Sequence, residues 1–173
     1  MDNFAKGVEA EIPRLRRYAR ALMRDETEVD DLVQDTLARG LAKRHLWQTG
    51  TDMRAWLFTI MHNQYVNYVR SSARGRHVMI DDAEPVLSHA AGQEKRLELR
   101  DLARAMAKLP LEQRTVVLLM GLEKMSYEAV ARIVGTPVGT VRSRLSRGRE
   151  ALRSHMGIRD DATKNRPIAR IAA

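Results

Sequence analysis

Apolar residues recur along this chain at spacings of three and four almost everywhere, and they alternate at a spacing of two almost nowhere. Leu15, Tyr18, Ala19 and Leu22 mark one face of a first helix, running from Ile12-Pro13 to Met23. Val29, Leu32, Val33, Thr36, Leu37 and Leu41 mark the inward face of a second, from Val29 to Leu46. Gln48-Thr-Gly-Thr-Asp52 is a turn signal, and Asp52 can cap a third helix from Met53 to about Ser71. That helix carries Trp56, Leu57, Ile60 and Met61, then Tyr65, Tyr68 and Val69. From Ser71 to Gln93 the period lapses among Gly75, Asp81-Asp82, Pro85 and Gly92, which predicts a linker over a domain boundary. The period restarts with Leu97, Leu99, Leu102, Ala103, Met106 and Leu109, and Leu109-Pro110 introduces a short helix ending at Met120.

The segment from Ser126 to Arg147 is the most informative. Ser126 is a good N-cap, and Val130, Ile133 and Val134 give the following helix its apolar stripe. Gly135 closes it, and Thr136 is placed to cap the next helix with Pro137 at the first helical position. In that second helix Val138, Val141 and Leu145 face inward, while Arg142, Ser143, Ser146 and Arg147 share a different face. Arg and Ser suit base edges and phosphates, and a short turn between two helices is what a helix-turn-helix needs. A solvated basic helix in a bundle is the bland alternative; two capped helices with Arg and Ser on one face only argue against it. The predicted fold is all-α, with two small helical domains joined by a flexible linker. Residues 1–72 form the first domain, 73–95 the linker and 96–157 the helix-turn-helix domain, and 158–173 form a disordered tail.

Charge sharpens this division. The 173 residues carry a net charge of +8, with a pI of about 10.3, which favours a polyanionic partner. From Ser126 onward there are ten Arg and Lys against four acidic residues, whereas Asp25 to Asp35 holds six acids and no base. One end suits DNA and the other suits something different. The absence of cysteine excludes disulfides, thiolate catalysis and Cys-ligated zinc. No apolar run reaches the length of a membrane span and the N-terminus lacks a secretory apolar core, so a cytoplasmic location without membrane insertion is expected. The five histidines are scattered, no phosphate-cradling glycine motif is present and no nucleophile stands beside a base. No enzymatic activity, cofactor or metal is expected.

The aromatic third helix and the acidic second helix carry the remaining signals. Trp56, Leu57 and Ile60 are read as core. Asn63, Gln64, Asn67 and Arg70 are polar groups beside aromatics, followed by Arg74, Arg76 and His77. Aromatic faces stack on unpaired bases at ~1–3 kcal/mol per base, so a single-strand or melted-strand site fits this helix. In the acidic helix Asp31 and Asp35 share a face, with Gln34 alongside. Complementing the helix dipole, worth ~0.3–1 kcal/mol, accounts for Glu28 and Asp30 but not for Asp35, which lies further in. A basic protein partner accounts for it better.

In this order, Asp-Asp-Leu-Val-Gln-Asp, Trp-Leu-Phe-Thr-Ile-Met-His-Asn, Leu-Pro-Leu-Glu-Gln-Arg and Ser-Tyr-Glu-Ala-Val-Ala…Pro-Val-Gly-Thr-Val-Arg-Ser-Arg-Leu resemble bacterial sigma factors of the extracytoplasmic-function (group IV) type. The resemblance runs from about Tyr18 to Leu152. It implies that Asp31, Gln34 and Asp35 dock on the clamp helices of the polymerase β′ subunit, with the β flap as a further contact of the core enzyme. It implies that the Trp47–Asp52 loop, including Trp47 and Asp52 themselves, captures a flipped base of the −10 element with Asn63 and Asn67. Arg70, Arg74 and Arg76 would hold nearby backbone. On the −35 element, Arg142, Ser143, Ser146 and Arg147 would read bases, Arg144 would contact phosphate, and Thr140 belongs to the same set. The 72–93 linker, with Asp81, Asp82 and Glu84, would thread toward the polymerase channels. Where many relatives carry a Phe-Arg-Gly-type sequence, this chain has Leu46-Trp-Gln-Thr-Gly-Thr-Asp52. That version looks closest to the general-stress-response branch, whose members are held by a small anti-sigma protein. An autonomous helix-turn-helix regulator, and a sigma mimic that titrates an anti-sigma factor, are the rival readings.

Overall fold

Helical periodicity is realised in seven α-helices and one 3-10 turn, and no other regular element occurs among the described residues. The structure is a computed structural model describing residues 3–23, 25–48, 50–75 and 93–158, with the backbone alone at 73–75 and 93–96. The helices are α1 (Asn3–Leu22), α2 (Glu26–Ala42), α3 (Met53–Gly75), α4 (Gln93–Ala107), α5 (Leu111–Gly121), α6 (Tyr127–Val134) and α7 (Val138–His155), with the 3-10 turn at Arg44–Leu46. The expected linker core and C-terminal tail, including Asp81, Asp82 and Glu84, lie outside the described residues.

Several ends differ from expectation for identifiable reasons. Helix α1 starts at Asn3 rather than Ile12, because Phe4 and Val8 extend the buried stripe of Leu15, Tyr18, Ala19 and Leu22. Pro13 therefore lies inside a helix, on its exposed side, where the carbonyl it leaves without an N–H can be hydrated. Helix α2 starts earlier than expected because Asp25 caps it, accepting from the Thr27 amide at 2.6 Å, and it stops at Ala42. Leu41, expected inside, is 56% exposed. Gly40 is buried instead: a Cβ there would stand 3.2 Å from Leu57 Cδ2, so α2 and α3 approach closely at this point. Asp52 does cap α3, accepting from the Ala55 amide at 3.0 Å. In α4 Leu97, Leu99 and Leu102 are exposed, while Ala105 and Met106, followed by Leu109, are buried.

Helices α1, α2 and α3 pack on one another around Leu15, Tyr18, Val29, Val33, Leu57, Phe58 and Met61, with the Tyr18 and Phe58 rings 5.2 Å apart. Helices α5, α6 and α7 form a second group around Val116, Leu119, Val130, Ile133, Val141 and Leu145, and α4 rests on α7. Each fully buried side chain of this size contributes about 1.5–3 kcal/mol of transfer free energy. Helix α6 also lies against α3, so the two groups meet.

The turn between α6 and α7 is built as expected on one side only. Ser126 Oγ accepts from the Ala129 amide at 3.1 Å, and Gly135 ends α6 in the left-handed region at φ 64°. Thr136 does not cap α7. Pro137, with ψ 151°, stands outside the helix as its N-cap, and its carbonyl accepts from the Thr140 and Val141 amides at 2.9 and 3.1 Å. That places Thr136 one residue too far back to reach the free amides, and its hydroxyl is buried without a partner.

Candidate nucleic-acid interface

Val141, Leu145 and Gly148 seat α7 against α5 and α6, which fixes the side that its remaining residues present. Arg142, Ser146 and Arg147 are exposed together on that side. Thr140, Ser143 and Arg144 are half-buried. The Ser143 hydroxyl donates to the Thr140 carbonyl at 3.0 Å, so it is occupied by its own helix. The Arg142 guanidinium lies 5.2 Å over the Tyr127 ring of α6. Arg144 is half-buried, and its charge adds to the burial that lowers the pKa of His62 on α3. Of the residues expected on the −35 element, Arg142, Ser146 and Arg147 are thus the exposed ones.

On α3, Asn63, Asn67 and Arg70 are exposed at spacings of four and three, which aligns them on one strip. Gln64 does not join them; its carbonyl accepts from the Thr36 hydroxyl at 2.9 Å and ties α3 to α2. The aromatics beside the strip differ in fate. Tyr65 is buried, its hydroxyl receiving a hydrogen bond from Arg114, whereas Tyr68 is 39% exposed with its hydroxyl on Glu28. Trp47 is half-buried and packs on Phe4 at 5.4 Å, and its indole N–H is buried without a hydrogen-bond partner among the described residues. Phe4 also meets Trp56 at 6.0 Å and carries Arg44 over its ring. Asp52 is committed to capping α3. The side chain of Arg74, and Arg76 altogether, lie outside the described residues.

The acidic helix separates its charges by task. Asp30 pairs with Arg16 at 2.9 Å, and Glu26 pairs with Arg20 at 2.6 Å, a hydrogen bond that holds Glu26 below the usual carboxylate range. Glu28 receives Tyr68. Asp31, Gln34 and Asp35 form an exposed strip, and among the described residues neither aspartate has an ion-pair partner. Three strips of different chemistry therefore stand on three helices: carboxylates on α2, amides with an arginine on α3, arginines with a serine on α7.

Glu123 escaped the sequence reading. It lies in the loop between α5 and α6 with its side chain fully hidden, held by Arg17 of α1 and Arg54 of α3. An acid in a short loop carries no periodic signal, and both its partners are more than sixty residues away.

Comparison with known proteins agrees with this division into helical groups. Residues 8–62 match the family described as the Sigma2 domain of PhyR, and residues 99–152 match Sigma-70, region 4. The ECF RNA polymerase sigma factor EcfG of Rhodopseudomonas palustris is 38% identical over 155 residues, covering 87% of this chain and 83% of that protein. Among solved structures, the sigma factor RpoE in complex with the anti-sigma factor NepR from Bartonella quintana superposes with a TM-score of 0.80. It is 30% identical and covers 91% of this chain and 99% of that one. CnrH in complex with the cytosolic domain of CnrY follows at a TM-score of 0.68 and 28% identity, over 89% of this chain and 87% of that one. With both sigma regions in order and a relative this similar over most of its length, the chain belongs to the extracytoplasmic-function family of RNA polymerase sigma factors.

Proposed function

We propose that this sigma factor binds core RNA polymerase through Asp31, Gln34 and Asp35 of α2 and directs it to promoters bearing paired −10 and −35 elements. The observation that supports this most is the segregation of an acidic strip, unpaired among the described residues, from two strips suited to DNA. An acidic strip repels phosphate and suits a basic protein surface; Arg142, Ser146 and Arg147 suit a major groove. Asn63 and Asn67 suit the edge of an extruded base, with Arg70 on the backbone beside it. In this reading residues 1–72 act as sigma region 2 and residues 96–157 as region 4, and the protein works in the cytoplasm.

The finer placement, in the general-stress-response branch with a small anti-sigma partner, draws support from the EcfG relative, the PhyR-type first region and the NepR-bound neighbour. A sigma mimic that titrates the anti-sigma protein would share the PhyR-type first region, but it would have no use for the exposed arginines of α7. Reconstitution with core polymerase and genome-wide mapping of transcript starts tests the proposal. Shared −35 and −10 sequences upstream of the starts are expected. A protein that binds core but initiates nowhere would favour the mimic.

A further inference from the structure

Glu123 has its carboxylate in one helical group and both its cations in the other. Arg17 of α1 donates to Oε1 through Nε at 3.0 Å and through its terminal nitrogen at 2.8 Å. Arg54 of α3 donates to Oε2 at 2.9 Å and also to the Glu123 backbone carbonyl. Both carboxylate oxygens are thus satisfied, each from a different helix. A buried carboxylate is tolerated only with such partners, and the α5–α7 group supplies none of them. Its hidden position therefore makes sense only while the two groups are docked.

The surrounding contacts also cross the seam. Arg17 donates to the Leu122 carbonyl at 3.5 Å. Arg114 of α5 donates to the Tyr65 hydroxyl and lies 5.9 Å over its ring. The Tyr18 hydroxyl is wholly buried against Thr115, and burial pushes its pKa far up. The charge of Arg144 is felt at His62.

This docking is incompatible with reading a whole promoter. The −10 and −35 elements lie roughly 25 base pairs apart, about 85 Å along a duplex at ~3.4 Å per base pair. At 1.5 Å per residue α3 and α7 are only about 35 and 27 Å long, and they belong to groups that touch. The docked form reads at most one element at a time.

We propose that Glu123 is an electrostatic latch, closed on Arg17 and Arg54, that holds the protein in a promoter-incompetent form until polymerase draws the two groups apart. Its consequence rests on the sigma reading above; the latch itself is testable without polymerase or DNA. The chain has no cysteine, so Ala38→Cys and Glu150→Cys, both at exposed positions, accept a donor and acceptor dye at defined places. The otherwise unchanged protein is expected to show one high-transfer population. Glu123→Gln and Arg17→Ala are each expected to raise the ratio of low-transfer to high-transfer molecules about tenfold or more. Circular dichroism checks that the helices persist. Should Glu123→Gln unfold, Arg17→Ala carries the test, because the Arg17 side chain is 51% exposed and its truncation leaves no cavity in a core. Folded Arg17→Ala and Arg17→Ala/Arg54→Ala proteins with unchanged transfer overturn the latch. Opened variants should also capture core polymerase faster; an opened variant with unchanged capture overturns the inhibitory role. If transfer shifts but no form of the protein initiates transcription with core, the sigma reading fails and the latch stands.

Discussion

The guanidinium of Arg142 lies 5.2 Å above the ring of Tyr127, so the first arginine of the strip proposed to read the −35 element is oriented by the helix that precedes it. A half-exposed cation–π contact contributes about 0.5–1 kcal/mol, and holding an arginine in place spares part of its ordering cost on binding. Tyr127→Ala is expected to weaken −35 recognition by the holoenzyme about two- to fivefold, and Tyr127→Phe, which keeps the ring, to leave it nearly intact. Competition binding between promoter fragments with matched and scrambled −35 sequences measures this. Equal losses for the two variants would assign the effect to the hydroxyl instead.

Asp31 and Asp35 are exposed on α2 and have no ion-pair partner among the described residues, so their reversal should cost the fold little. Asp31→Lys/Asp35→Lys is expected to lower affinity for core polymerase at least a hundredfold, about 2.7 kcal/mol, while the unfolding midpoint moves by only a few degrees. Analytical gel filtration with core enzyme reads the first quantity and calorimetry the second. Unchanged core binding would remove the acidic strip from the polymerase contact.

Asn63 is assigned to an extruded base, a species that exists only after melting. Asn63→Ala should therefore reduce permanganate-reactive open complex more than it reduces total promoter binding. Parallel loss of both would place Asn63 on duplex DNA.

Two glycines of the second group should respond in distinct ways to alanine. A Cβ at Gly148 would meet Val117 Cγ2 at 2.7 Å and Gln113 Cβ at 3.4 Å, so Gly148→Ala forces α5 and α7 apart and should cost about 1–3 kcal/mol. Gly135 has open space around it but φ at 64°, so Gly135→Ala should cost about 1 kcal/mol through backbone strain alone. Urea denaturation distinguishes them: the first variant should lose packing in the near-ultraviolet spectrum before unfolding, and the second should not.

His62 gives the stability of the fold a pH dependence. Burial and the neighbouring Arg144 lower its pKa in the folded protein, so the unfolded chain takes up the proton first as pH falls. Stability is then constant above about pH 6.5 and declines as pH drops below that value toward the lower folded pKa. Unfolding midpoints between pH 8 and pH 5 should show this decline in the unaltered protein. A weaker decline is expected in His62→Asn, and parallel curves would remove His62 as its source.

Much of this structure was legible because helical burial writes a period into the chain. The stripe of Val130 and Ile133, the cap at Ser126 and the left-handed Gly135 each follow from local chemistry, and each is found. The start of α1 was missed because Pro13 reads as a first-turn residue, and only the docking of Phe4 on Trp47 and Trp56 justifies carrying the helix through it. Thr136 was misplaced because one residue of extended backbone at Pro137 decides which side chain can reach the free amides. Exposure of Asp31, Asn63 and Arg142 could be read from spacing; the partial burial of Arg144 could not, since it depends on packing that spacing does not record. Glu123 is the extreme case. Its environment is made wholly of residues distant in sequence, and no window of the chain contains it.

The Arg17–Glu123 bond joins residues 106 positions apart, and this orders events on the ribosome. The first three helices are complete at Gly75, roughly fifty residues before Glu123 is added. At ~5–20 residues per second that interval lasts about 2–10 s, longer than a small helical domain needs to fold. Every nascent copy therefore spends its first seconds with Arg17 and Arg54 uncovered and the acidic strip already formed. A chain being translated is open before it is ever closed.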